Sequence, residues 1–255
     1  MNWNHVWELF KINLLYANPQ AVTNLQKRQE KKKKANFSIV NAMLRQQLLI
    51  LIIFTVVYSY LFVGVDYKAN PGVLTLYLLT FSIMGLLQTF TALYSTFYDS
   101  KDSKAYLPLP LKPAEVFLAK TLSGSMVGMT FMVPILSLLI LAYWQFIGPL
   151  GIVVGLLTFI VSLFINLVLS VILSNSIGTL IVRSSHKKLY STILMTLSTL
   201  LIMLPIMMVG FIKGYVDGAG HADFPLLPYL RGYYDVVAAP LSPEALLNFY
   251  LPLIL

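Results

Sequence analysis

Five blocks of apolar residues, each about 20 long or longer, recur along this chain with no Asp, Glu, Lys, Arg or His near their centres. A helix rises 1.5 Å per residue, so ~20 residues cross a hydrocarbon core ~30 Å thick, and in lipid a helix satisfies its own backbone groups. Composition agrees, because 58% hydrophobic and 11% charged residues leave too little polar surface to clothe a soluble globule of 255 residues. The expected fold class is all-α, a polytopic membrane helical bundle with five full spans plus the start of a sixth, and an N-terminal interfacial helix.

The interfacial helix is read from Met1 to Ala17, where Trp3, Val6, Trp7, Phe10 and Leu14 make one apolar stripe opposite Asn4, Glu8 and Lys11. Tryptophans suit headgroup depth, so the helix is expected to lie on the membrane; docking on a protein partner is the alternative. Glu8, Lys11 and Asn13 interrupt its apolar run, which is therefore no cleavable signal. The basic run Gln26 to Lys34 follows, a solvated linker or a contact for anionic lipid. Residues 1–46 thus precede a transmembrane domain, 47–255.

The spans are expected at about 47–65, 73–97, 122–143, 150–182 and 189–212. The fourth block is too long for one straight crossing, so it tilts or runs past the bilayer toward the basic turn Arg183 to Lys188. A polar, proline-rich segment, 213–245, leads to the last eleven residues, 245–255, which are too few to cross a bilayer. A chain cut short inside its sixth span is expected, with a re-entrant ending as the alternative.

Charge fixes the expected orientation. With the N-terminus inside, Lys11, the six basic residues between 27 and 34, Arg45, Lys101, Lys104, Lys112, Lys120, Arg183, Lys187 and Lys188 are cytoplasmic, 15 of the 18 Lys and Arg. Lys68, Lys213 and Arg231 face out, and the ten acidic residues divide evenly. The cytoplasmic side then carries +10 and the outer side −2, within a total of +8. Topology accounts for the basic pI, so nucleic acid is not an expected partner, and the cell membrane is the expected location.

Several chemistries lose their residues. The spans hold Gln88, Asn166 and Asn175 but no ionisable side chain at mid-depth, which argues against proton-coupled transport and intramembrane proteolysis. There is no cysteine, no HExxH and no GxxxxGK[ST] phosphate loop, so no catalytic or metal residue is assigned and ATPase activity is not expected on this chain. His5, His186 and His221 lie in separate segments and read as surface residues. Gly124, Ser125 and Gly128 read as a close-packing seam.

The loop 98–120 carries the most information. Asp99, Ser100 and Ser103 suit a helix start, Pro108 and Pro110 force an extended corner, and Pro113, Ala114 and Glu115 suit the first turn of the next helix. A short helix, a rigid elbow and re-entry into the membrane would transmit force from a soluble partner. A solvated loop that respects proline chemistry fits equally well.

Tyr98-Asp99-Ser100-Lys101-Asp102, then Leu107 to Pro113 (LPLPLKP), then Glu115 to Lys120 (EVFLAK), resembles the loop between spans two and three of type-2 class ABC exporter permeases of Gram-positive bacteria. The layout of the whole chain is similar too, as a truncated permease or the first half of a longer one. The resemblance implies a transport subunit whose coupling loop, with Asp99, Ser100, Lys101, Asp102, Tyr106, Pro108, Pro110, Lys112 and Glu115, docks on a separate nucleotide-binding ATPase subunit. ATP and Mg would bind there, with no cofactor on this chain. It also implies a second permease half as partner, and an outer gate of re-entrant helices including Pro225, Pro228, Tyr229, Tyr233 and Tyr234. The cargo class stays open among a peptide, a lipid-like compound and a toxic amphiphile. A membrane sensor or scaffold without transport activity, using Gln26 to Lys34 to bind its partner, is the alternative; a lipid-modifying enzyme would need clustered carboxylates or histidines that the spans lack.

Overall fold

A computed structural model describes residues 1–17, 22–25, 27, 38–99, 111–219 and 224–251. The chain is an all-α bundle with five helices, or pairs of helices, long and apolar enough to cross a membrane. Among the described residues there is no strand.

The N-terminal helix α1 is Trp3–Ala17. Helix α2, Ile39–Phe62, begins eight residues before the expected span because the Ser38 hydroxyl accepts from the Asn41 amide at 3.4 Å and caps it. Its outer face exposes Leu48, Leu49, Ile52, Ile53, Val56 and Val57, an apolar surface suited to lipid. A tight turn follows, with Gly64 at φ +94° and the Asp66 carboxylate accepting from the Lys68 and Ala69 amides. Helix α3 is Pro71–Tyr94, opened by proline at its first position and continued by a π-helical turn, Ser95–Asp99.

Helix α4, Pro113–Ile147, has 35 residues and is about 52 Å long, so its ends project beyond a ~30 Å hydrocarbon core. Together α3 and α4 form the axis of the bundle. Their close approach depends on small residues: a Cβ on Gly124 would stand 2.6 Å from Leu93 Cδ2, and one on Gly128 would overlap the Thr89 side chain. The seam read from these glycines is therefore a helix contact. The α4–α5 turn needs Gly148 at φ +62°.

Helix α5 is Leu150–Leu173, extended by a π-helical turn, Ser174–Gly178, and a last α-helical turn, Thr179–Arg183. The overlong fourth block is thus one helical run, 34 residues in all, with its irregularity concentrated in the π-turn. The fifth span is divided into α6, Lys187–Leu201, and α7, Met203–Ala219. Pro205 explains the break, since it lacks the N–H that would bond the Leu201 carbonyl and its ring crowds that turn.

Two cores result. The larger joins α2, α3, α4, α5, α7 and α8 around Phe62, Tyr67, Tyr77, Phe81, Leu138 and Tyr143. The smaller packs Val6, Leu9, Phe10 and Leu14 of α1 against Met43 and Ala119. The end of the bundle that carries α1 is called the near end below. At the far end, α8, Pro228–Ala238, and α9, Pro243–Ala245, with its π-turn Leu246–Tyr250, fold back over the heads of α3 and α4. Within the expected 213–245 segment, α7 continues to Ala219, and α8 and α9 take 228–238 and 243–245.

Candidate functional site

The near end contains the two roots of the loop that joins α3 to α4. Ser100, Lys101, Asp102, Tyr106, Pro108 and Pro110 lie outside the described residues, as does the side chain of Asp99. What frames them is well defined. On the α3 side the chain leaves the membrane through the π-turn Ser95–Asp99, whose altered register frees carbonyls from the helical ladder. Lys120, on α4 and only 3% exposed, donates from Nζ to the Thr96 carbonyl at 2.9 Å and lies 5.9 Å from the centre of the Phe97 ring. The Phe97 ring in turn stacks near Phe117 of α4 at 5.5 Å. Tyr98 donates its hydroxyl to the Ser174 carbonyl of α5 at 3.2 Å.

On the α4 side, Lys112 is the N-cap residue and Pro113 the first helical position, as the proline chemistry predicts. Glu115 closes that turn: its Oε2 accepts from the Lys112 amide at 3.4 Å, the reciprocal bond of a capping box. The same carboxylate ties down the N-terminus. Oε1 accepts from the Asn2 amide at 2.7 Å, and Oε2 lies 3.2 Å from His5 Nδ1. Glu115 sits in the first turn of α4, outside the hydrocarbon, and chiefly the Asn2 bond holds its carboxyl below the ordinary carboxylate range. Its negative charge also suits the positive end of the helix.

Helix α1 seals this arrangement from the side. Val6, Leu9, Phe10, Asn13 and Leu14 are buried, whereas Trp3 and Trp7 are 64% and 52% exposed. The buried stripe is rotated from the one expected through the tryptophans. Leu9 and Asn13 belong to the buried face, and the two indoles stand at its margin, where an interfacial ring has both apolar and wet neighbours. They border a cavity of about 510 Å³ that runs between α4 and α5 past Leu122, Met129 and Phe164. A second cavity, about 470 Å³, opens between α3, the end of α5 and α6.

At the far end the expected gate residues divide. Tyr233 and Tyr234 are partly buried: the Tyr143 hydroxyl donates to the Tyr233 carbonyl at 2.7 Å, and Tyr234 meets Phe146 edge-on at 5.4 Å. Pro225, Pro228 and Tyr229 are exposed, Tyr229 at 90%. Arg231 pairs with buried Asp235 at 3.1 Å, which steadies α8. The polar residues read within the spans also hold helices together: Gln88 donates to the Ser198 carbonyl at 2.7 Å and Asn166 to the Ser82 carbonyl at 3.1 Å, while Asn175 is exposed.

Sequence reasoning selected Lys112 and Glu115 but missed Asn2, His5, Lys120 and Tyr98 as parts of one arrangement. Lys120 carried a signal, as an ammonium adjoining an apolar block. Asn2 and His5 carried none, because their partner is more than 100 residues distant. No protein-family model, curated protein or solved structure matches this chain.

Proposed function

We propose that this chain is the membrane-spanning permease subunit of an ATP-driven exporter, similar to the type-2 class, with ATP hydrolysed by a separate subunit that docks on the loop between α3 and α4. The observation that carries this reading is the bracing of that loop. Lys120 and Glu115, two charged side chains withdrawn from solvent, are both committed to its roots. A loop that merely connects two helices has no need of such anchors; one that receives force from a docked partner does, because a slack root would absorb the motion.

The remaining parts follow from the resemblance and the charge count. The N-terminus faces the cytoplasm of the cell membrane, the docking loop is on that side, and Arg183 to Lys188 makes a lesser contact there. The folded-back α8 and α9 close the translocation path on the outside, and a second permease half completes the transporter. Mg and ATP belong to the partner.

The test is co-purification of a tagged chain from its native membrane. Recovery of a nucleotide-binding subunit, weakened by Pro108→Ala or Glu115→Gln, supports the reading. Recovery of no such subunit, together with transport unaffected by both substitutions, removes it and leaves a sensor or scaffold.

A further inference from the structure

The two π-helical turns at the near end touch. Tyr98 belongs to the first, Ser95–Asp99, and its hydroxyl donates to the carbonyl of Ser174, where the second, Ser174–Gly178, begins. Its ring lies flat enough against the second turn that a Cβ added to Gly178 would stand 2.6 Å from Tyr98 Cε2. Tyr94 backs that ring at 5.5 Å, so the side chain is held from behind as well. One residue before Gly178, Ile177 lines the 470 Å³ cavity, and Leu180 and Ile181 of the same terminal segment line it with Leu87 and Thr91 of α3 and Tyr190 of α6. Neighbouring positions of one turn thus face the loop root and the cavity.

A π-turn holds one residue more than an α-helical turn, so converting one to the other rotates and advances everything beyond it by about one residue, ~1.5 Å along the axis. Segment 174–183 faces α6 across the cavity along Ile177, Leu180 and Ile181, so that adjustment would move these three side chains in the cavity wall. Lys120 prevents the first turn from moving independently of α4, because its ammonium bonds the Thr96 carbonyl.

We propose that Tyr98 is a positioning residue that ties the root of the α3–α4 loop to the terminal segment of α5, so that displacement of the loop moves the wall of the cavity between α3, α5 and α6. The tie deepens the permease reading, on which its driving force rests: docking and nucleotide hydrolysis push the loop, and the cavity changes shape.

The chain has no cysteine, so Ile181→Cys is a single reporter on the cavity wall. Its reaction rate with a water-soluble maleimide is measured in lipid nanodiscs, first for the chain alone. Tyr98→Phe keeps the ring and removes the hydroxyl, and loss of one neutral hydrogen bond should raise the rate about two- to tenfold. Gly178→Ala, which displaces the ring, should raise it too, and adding Gly178→Ala to Tyr98→Ala should change nothing more. Equal rates for the parent, Tyr98→Phe and Tyr98→Ala overturn the tie, whatever the partner. The second arm repeats the measurement on the chain co-purified with its nucleotide-binding subunit. ATP should alter the rate in the parent and not in Tyr98→Phe; an ATP response that survives in both variants of Tyr98 overturns the coupling. If the first arm behaves as expected and no nucleotide-binding subunit is recovered, the permease reading falls while the tie stands.

Discussion

Glu115 collects the Asn2 amide, the Lys112 amide and His5 on one carboxylate, so its charge holds both a helix start and the N-terminus. Glu115→Gln should release α1 from α4, seen as a shift in Trp3 and Trp7 emission in a Trp144→Phe background. Acid should do the same. Because the folded carboxyl titrates below the ordinary 4.5, its contribution is complete above that value and is lost as pH falls through the lower folded pKa. The emission should therefore show a transition in acid below the ordinary carboxylate range, one absent from Glu115→Gln. Gly128 acts by having no side chain. Gly128→Ala should cost about 1–3 kcal/mol, as overpacking does, and Thr89→Gly should restore part of it in a thermal unfolding series. At this scale the sequence revealed residues whose meaning is local. The Lys112, Pro113 and Glu115 start was readable because its three parts adjoin, and the Gly124 and Gly128 seam because its spacing is helical. The bonds of Asn2, His5 and Tyr98 join residues far apart in the chain, and no local pattern announces them.

Helices, taken as units, were legible in number and less so in their limits. Apolar length marks where a chain can cross lipid, but a helix ends where its caps and prolines decide. Ser38 therefore carries α2 back beyond its apolar part, and Pro205 divides a fifth block that hydropathy reads as continuous. The face that α1 buries was offset from the predicted stripe because a tryptophan satisfies an apolar pattern equally well inside a core or at its wet margin. The folded-back α8 depends on few bonds to the spans. Tyr143→Phe removes the one to the Tyr233 carbonyl, with an expected cost of about 0.5–1.5 kcal/mol and faster hydrogen exchange across 228–238 than across α3.

The whole molecule has a charge asymmetry that makes its orientation testable in a cysteine-free chain. Ser103→Cys should react with an impermeant maleimide only after the membrane is opened, and Tyr229→Cys, at the far end and highly exposed, in intact cells. Reaction of both from the same side would remove the docking role of the loop. Class and number of crossings were legible because lipid imposes one rule on every span. The candidate site was half legible, since its loop has a distinctive sequence while the bonds that brace its roots arise only on assembly.

The turn at Gly148 bears on how α4 and α5 come together. With φ at +62° and proline next, it reverses the chain within two residues, and Gly151 and Gly155 then let α5 lie directly on the backbone of α4 at Tyr143 and Ile140. Helices so close along the chain close only a short loop when they meet, so their pairing has a small entropic cost, and a bulky residue at 148 should strain the turn on which that pairing depends.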